Sequence, residues 1–418
     1  MRDIKPIRRK YAEFTVPGSK SYTHRMLIAA ALSDGQCTLN SALESEDTDI
    51  TLKTLRKLGV HLEKGQKQID VYGKRGSLDA CRETLDLGNS GTSMRLLTAA
   101  VALGKGKYVL TGTKRMQQRP MQDLIDGLNQ MGVKSRPVKN NGCPPIEVEA
   151  IKIQGGKVNL NCSLSSQFLS ALLLISPYAK NDTEIVVTHG PVSRPYIDIT
   201  LDVMQKFGVT VMRESYDCFN VPGGQVYQAG SYAVEPDCSQ AGYFLAAAAI
   251  AGATIKVKDI PVDSRQGDIR FLDLLAAMGC KISRDPDGIA VTGGPLVAVE
   301  ADMADMPDLV PTLAVVAAFA KGTTIIKNVA HLKGKESNRL DATVRELSKM
   351  GIDAGCGESA LRVSGGEPHG AEIETYDDHR IAMSFAVAGL RVPGIAIKNE
   401  DCVAKSFPDF WQKLEALY

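Results

Sequence analysis

Two kinds of apolar pattern alternate along the chain. The first is amphipathic: runs such as Pro120–Met131 and Leu340–Met350 end at a glycine, the signature of an exposed helix stopped by a C′ glycine. That ending recurs five times, as LRKLGV (55–60), LNQMGV (128–133), MQKFGV (204–209), LAAMGC (275–280) and LSKMGI (347–352). The glycines, Gly59, Gly132, Gly208, Gly279 and Gly351, stand 71–76 residues apart. The second pattern is apolar nearly all round: Ser21–Ser33, Ser90–Leu103, Ser165–Tyr178, Ser239–Ala251, Leu309–Ala320 and Asp378–Leu390. These Ala/Leu-rich stretches read as buried helices, and most open at a Ser, Thr or Asp able to cap them. β-rich segments follow, among them TEIVV (183–187), ATIKV (253–257) and TTIIK (323–327). The predicted repeat is therefore strand, buried helix, strand, exposed helix, then two strands, such as VKSRP and IEVEA after Gly132.

The sixth copy is short. Its last helix, Phe410 to Leu417, ends the chain, so two closing strands are missing. The first 17 residues hold two unattached strands, IKPIRR and AEFTV, and the economical expectation is that this segment completes the sixth unit. Three units would then form one lobe, residues 18–230, and three a discontinuous second lobe, residues 1–17 plus 231–418. Two chain crossings would act as a hinge beside a cleft, a default place for a ligand. A single long solenoid is the structural alternative, although repeat arrays usually have shorter periods of ~20–50 residues.

Composition narrows the function. With 418 residues, 44% hydrophobic and 23% charged, the chain reads as an ordinary two- or three-domain globular protein. Its 49 basic and 48 acidic side chains leave a net charge of +1, so no global field recruits nucleic acid or anionic lipid. The aromatic content, with 1 Trp, disfavours a base-stacking surface. Nine scattered cysteines without a C-x-x-C pair argue against a disulfide framework or a zinc site and fit a reducing compartment. The N-terminus lacks an apolar signal region, and the longest apolar stretch, Tyr243 to Ile255, is short of the ~20 residues a bilayer needs. A cytoplasmic protein is expected.

Any anion site must therefore be built locally, and the starts of the buried helices carry the material. The N-terminus of a helix offers unsatisfied N–H groups and a partial positive charge. The first start reads P-G-S-K-S-Y-T-H-R, the second L-G-N-S-G-T-S-M-R, the third S-L-S-S-Q and the sixth Y-D-D-H-R. Capping explains the hydroxyls and acids, but not Lys20 and Arg25, since cations are disfavoured at a positive helix end unless an anion joins them. Loops before the exposed helices add Arg115, Arg119, Arg194, Lys335, Arg339 and Lys405, with Asp308 and Glu336 as the few acids nearby. A scattered surface cation is usually just solvated; recurrence at one place in successive units points instead to a small polyanionic ligand.

Eight motifs in order carry a resemblance that runs along the whole chain. P-G-S-K-S (17–21), L-G-N-S-G-T (87–92), R-P-M (119–121) and S-S-Q-F (165–168) are followed by Q-G-D (266–268), K-E-S-N-R (335–339), D-D-H-R (377–380) and A-K-S-F-P-D (404–409). The sequence resembles the 5-enolpyruvylshikimate-3-phosphate synthases, enolpyruvyl transferases of the shikimate pathway that leads to chorismate and the aromatic amino acids. The resemblance implies an α/β fold of two inverse α/β barrel lobes, six βαβαββ units with three per lobe, closing on substrate. It implies transfer of the enolpyruvyl group of phosphoenolpyruvate to the 5-hydroxyl of shikimate 3-phosphate by addition and elimination, with release of phosphate. No metal or organic cofactor is implied, nor a nucleic-acid or membrane partner, and a monomer is expected.

Carried over position by position, the resemblance assigns shikimate 3-phosphate to Lys20, Ser21, Arg25, Ser165, Ser166, Gln167, Ser193, Tyr196, Asp308 and Lys335. Phosphoenolpyruvate is assigned to Lys20, Gly91, Arg119, Arg339, Arg380 and Lys405. Lys20, Asp308 and Glu336 are the implied catalytic groups, with Asp308 taking the hydroxyl proton and the other two handling protons at the pyruvyl end. Asn89, Thr92, His331 and His379 join the set at its edge; His331 stands where some members of the family have Asn. Leu96 follows Met94–Arg95 where a Pro is common, and His24 reads as a neighbour on the helix. UDP-N-acetylglucosamine enolpyruvyl transferases share the fold and chemistry but usually show Lys-Asn where this chain has Lys20–Ser21, and a Cys or Asp in the loop before Arg119, where this chain reads T-K-R-M-Q-Q. A non-catalytic anion-binding module of the same fold is the remaining alternative, against which the full acid–base set argues.

Overall fold

A computed structural model describes all 418 residues, Met1–Tyr418. The chain divides into two compact units, Gly18–Val234 and Met1–Pro17 with Glu235–Tyr418. The repeat is built five times with four strands and a sixth time with three. In residues 85–150, strand Leu85–Asp86 leads into buried helix Gly91–Ala100, then strand Gly106–Thr111, exposed helix Gln122–Gln130 and strands Lys134–Pro137 and Ile146–Ala150. The leading strand runs parallel to Gly106–Thr111, with Leu85 beside Leu110; Gly106–Thr111 pairs antiparallel with Ile146–Ala150, which pairs antiparallel with Lys134–Pro137. Five sheets have this four-strand order and a sixth has three strands; all are separate and open, and no ladder closes into a barrel.

The other buried helices are Lys20–Leu32, Gln167–Ile175, Cys238–Ala251, Val310–Ala317 and His379–Gly389, each within two residues of its predicted start. Within each unit three of them pack on one another and form the centre of one hydrophobic core. Because apolar side chains meet them from every direction, they need no polar face. The five recurring glycines do what their spacing predicts. Each has φ between 78° and 107°, and its N–H and that of the next residue close a Schellman motif onto the preceding turn at 2.9–3.1 Å, as Gly59 to Arg56 and Val60 to Leu55 do. No helix is long and apolar enough to cross a membrane.

The N-terminal segment differs from expectation. Residues 4–9 form no strand; Arg2–Asp3 does, pairing antiparallel with Ala396–Ile397 and so adding one strand to the sixth sheet. The rest of that stretch spends its N–H groups on chain ends: Ile7 N–H bonds Leu390 O, and those of Arg8 and Arg9 bond Leu417 O. The second strand, Tyr11–Phe14, does not serve the sixth unit at all. It runs parallel to Thr254–Lys258 as the leading strand of the fourth sheet. Reciprocally Gln228–Ala233, which precedes the fourth buried helix, runs parallel to Asp34–Asn40 in the first sheet. The first and fourth repeats have exchanged leading strands, and the chain passes from one compact unit to the other after each.

Candidate active site

In the unit Gly18–Val234 the candidate residues cluster at helix starts. Arg25, one turn into helix Lys20–Leu32, is 1% exposed. Its Nε donates to Thr200 Oγ1 at 2.7 Å, Nη1 to Ser21 O at 3.0 Å and Nη2 to Ser170 Oγ at 3.1 Å. No carboxylate lies within ion-pair distance. Burial lowers this guanidinium to about 10, with the Tyr196 and Tyr22 phenols opposing part of the effect. The neighbouring hydroxyls are ordered: Gln167 N–H donates to Ser165 Oγ at 3.2 Å, Ser166 Oγ to Ser193 O at 3.2 Å and Gln167 Nε2 to Thr92 Oγ1 at 3.0 Å. Tyr196 lies one turn before Thr200, whose hydroxyl donates to its carbonyl at 2.8 Å.

Gly91 opens the second buried helix, following Asn89 and Ser90. A Cβ there would lie 2.6 Å from Arg119 Nη2, 2.8 Å from Arg119 Nη1 and 2.6 Å from Arg95 Nη1, so only glycine lets both guanidiniums approach the helix start. Arg95 Nη1 donates back to Gly91 O at 3.1 Å. Lys20 Nζ pairs with Asp47 at 3.2 Å, and that carboxylate is buried. The Asp47 carbonyl accepts from Ser93 Oγ, which joins Thr51 and the His24 ring in one line of hydrogen bonds at 2.8–3.3 Å. His24 is thus a structural neighbour.

In the other unit Asp308 sits in the turn Pro307–Leu309 that leads into helix Val310–Ala317. Its two oxygens accept from Arg339 Nη1 at 2.8 Å and Arg380 Nη2 at 2.7 Å. Arg339 also donates to Glu336 Oε2 at 2.9 Å and, from Nε, to Asp378 Oδ2 at 2.9 Å. Burial works against its charge, but Asp378, Glu336 and Asp308 more than offset it and hold it well above the ordinary range. Arg380 is equally buried and donates to the Tyr243 hydroxyl at 3.0 Å. His331, half-buried, is pushed down to about 3 by burial and then by Lys335, with Asp308 opposing, so its ring is neutral near neutral pH. His379 Nδ1 lies 3.9 Å from Asp378 Oδ1. Lys405 is buried at the end of the turn Glu400–Lys405.

The structure brings together Lys20 with Asp47, Gly91 with Arg119, Ser165–Gln167 with Thr92 and Ser193, and Asp308 with Glu336, Arg339 and Arg380. It corrects the expectation that Asp308 and Glu336 are the few acids nearby. Asp47 pairs with Lys20, and Asp378 accepts from Arg339, from Ser337 Oγ at 2.9 Å and from the Arg380 N–H at 3.0 Å. Asp268, in the Q-G-D motif, is also buried; it accepts from Ser239 Oγ at 2.7 Å and is pushed up to about 7 by burial and then by Asp308. Asp378 reads in sequence only as a helix cap, which it also is. Ser170 and Thr200, the partners of Arg25, carry no sequence signal at all.

Comparison with known proteins gives the family. The chain matches the family described as EPSP synthase (3-phosphoshikimate 1-carboxyvinyltransferase) over residues 4–414. A 3-phosphoshikimate 1-carboxyvinyltransferase of Sulfurovum sp. (strain NBC37-1) is 44% identical over 420 residues, covering 99% of this chain and 98% of that protein. One of Methanoculleus marisnigri is 44% identical over 409 residues, 97% and 96% of the two chains. The solved EPSP synthase from Acinetobacter baumannii superposes with a TM-score of 0.82 at 30% identity, over 99% of this chain and 97% of that one. The chain belongs to the EPSP synthase family.

Proposed function

We propose that this chain transfers the enolpyruvyl group of phosphoenolpyruvate to the 5-hydroxyl of shikimate 3-phosphate and releases phosphate. The observation that carries the reading is Arg25: a buried guanidinium ringed by hydroxyls, with no carboxylate to balance it, is a costly arrangement that an anionic ligand would complete. Shikimate 3-phosphate is assigned to Arg25 with Lys20, Ser21, Ser165, Ser166, Gln167, Ser193, Tyr196, Asp308 and Lys335. Phosphoenolpyruvate is assigned to Lys20, Gly91, Arg119, Arg339, Arg380 and Lys405, because arginines hold carboxylate and phosphate as a fork and Gly91 leaves room beside Arg119. His331, His379, Asn89 and Thr92 border these sets.

The reaction adds the hydroxyl oxygen to C2 of phosphoenolpyruvate while C3 gains a proton, then breaks the C2–O bond to phosphate while C3 loses one. Asp308 takes the hydroxyl proton, and Lys20 and Glu336 exchange protons at C3. Substrate binding asks Arg339 and Arg380 to share their Asp308 bonds with a substrate anion, which would leave Asp308 freer to act. The enzyme acts as a monomer in the cytoplasm, with each set of three repeats forming one lobe. A coupled phosphate-release assay tests the reading. Phosphate should appear with phosphoenolpyruvate plus shikimate 3-phosphate and not with UDP-N-acetylglucosamine as acceptor; phosphate with neither would leave a binding module.

A further inference from the structure

The turn that opens the sixth buried helix holds two consecutive non-glycine residues in left-handed backbone, Tyr376 at φ 54° and Asp377 at φ 55°. Asp tolerates that region; a bulky Tyr is a true outlier there, held only when surrounding structure insists. The Asp378 N–H closes the turn on Thr375 O at 2.9 Å, but what fixes it comes from another element. Glu346, on helix Arg339–Lys349, is fully buried. Its Oε1 accepts from the Tyr376 hydroxyl at 2.6 Å, and its Oε2 accepts from the Glu374 N–H at 3.0 Å and Lys349 Nζ at 2.7 Å. On the other side Asn399 Nδ2 donates to Asp377 Oδ1 at 3.2 Å. Burial and Glu346 push the Tyr376 phenol up to about 12, so it remains a donor at any working pH.

Three cations hang from this turn. Asp378 holds Arg339 through Nε, and Arg380 stands two residues beyond it. Asn399 starts the turn Glu400–Lys405 that ends at Lys405. None of Glu374, Tyr376 or Glu346 belongs to the set assigned to substrate or catalysis. We infer that Glu346, acting through the Tyr376 hydroxyl and the Glu374 amide, is a positioning residue that latches the strained turn and so sets Arg339 and Arg380 for phosphoenolpyruvate. The inference rests on the assignment of those cations to phosphoenolpyruvate.

The test is Tyr376→Phe in the full-length enzyme, which removes one hydroxyl and keeps the ring. Phosphoenolpyruvate and shikimate 3-phosphate are each titrated calorimetrically into the free enzyme, so that no turnover occurs during either titration. The latch predicts a loss of about tenfold in phosphoenolpyruvate affinity, the scale of one buried hydrogen bond to a carboxylate, with shikimate 3-phosphate affinity unchanged. Glu346→Gln, which keeps one acceptor oxygen and turns an amide toward the Glu374 N–H, should move the same constant in the same direction. Loss of both affinities together, or a lowered melting temperature with phosphoenolpyruvate affinity intact, would reduce Glu346 to packing and overturn the latch. A wild-type enzyme that binds phosphoenolpyruvate but releases no phosphate would sink the proposed reaction instead, while the titrations would still decide the latch.

Discussion

Replacing Arg25 by Met separates what this residue does for folding from what it does for a ligand. A guanidinium moved by burial from 12.5 to about 10 is less favourable in the folded chain by ~3 kcal/mol. Because the group is charged in both folded and unfolded chains below that range, the cost is fully present at neutral pH and is relieved only as pH rises from about 10 toward 12.5. Met removes the cost together with three hydrogen bonds, each worth ~1 kcal/mol. The acceptors are not stranded, since the Thr200 hydroxyl keeps Tyr196 O and Ser170 Oγ as hydrogen-bond partners, each at 2.8 Å. The two terms nearly cancel, and urea unfolding of the free variant should lie within ~1 kcal/mol of wild type. Binding has no such compensation. Loss of a charge-assisted fork should raise the KM for shikimate 3-phosphate about 100-fold, read by phosphate release. Saturating shikimate 3-phosphate, at 100 times Kd, should stabilise wild type by ~2.7 kcal/mol, and the same concentration should leave the variant almost unmoved. A variant that lost ~3 kcal/mol of stability and kept its KM would show Arg25 to be a structural cation and refute the reasoning.

Three further outcomes follow from the same geometry. Asp308→Asn keeps an acceptor for one guanidinium but cannot take a proton, so kcat should fall by ~10²–10⁴ while the KM for phosphoenolpyruvate does not rise; turnover like wild type would remove Asp308 from the mechanism. Lys20→Met should raise the KM for both substrates and lower kcat, and retained phosphoenolpyruvate affinity would contradict its assignment to that substrate. Asp268, pushed up to about 7, binds more protons folded than unfolded between pH 4 and 7, so wild-type stability should fall by up to ~4 kcal/mol across that window as pH rises. Asp268→Asn should flatten that part of the profile in urea unfolding at pH 5 and 7, and an unchanged slope would show that the carboxyl ionises freely.

The helices were legible because their signals are local. A run such as Cys238–Ala251 has no polar face to mistake, and a Gly after an amphipathic run specifies the Schellman closure within six residues. The strand exchange was not legible, and its reason is physical. Tyr11–Phe14 and Gln228–Ala233 each precede a buried helix, as a leading strand should, but their partners lie near residues 254 and 34, and nothing within a short strand names its partner. Sequence therefore located the N-terminal segment beside the last repeat and assigned its second strand to the wrong sheet.

The candidate site divides along a line that electrostatics draws. Lys20 and Arg25 were conspicuous because a cation at a helix N-terminus runs against the dipole and has to be explained. Asp47 and Asp378 were invisible for the converse reason: Asp47 lies in the first turn of helix Glu46–Lys57, where an acid suits the dipole, and Asp378 caps helix His379–Gly389. Their second role appears only when Lys20 and Arg339 arrive from other elements to share them. One rule thus marks the cations of this site and hides their counter-charges, and an anion pocket read from sequence alone will look more positive than it is. What survives as a net positive demand is narrower than the motif count implied. It is Arg25, whose hydrogen-bond partners, two hydroxyls and a backbone carbonyl, are all neutral.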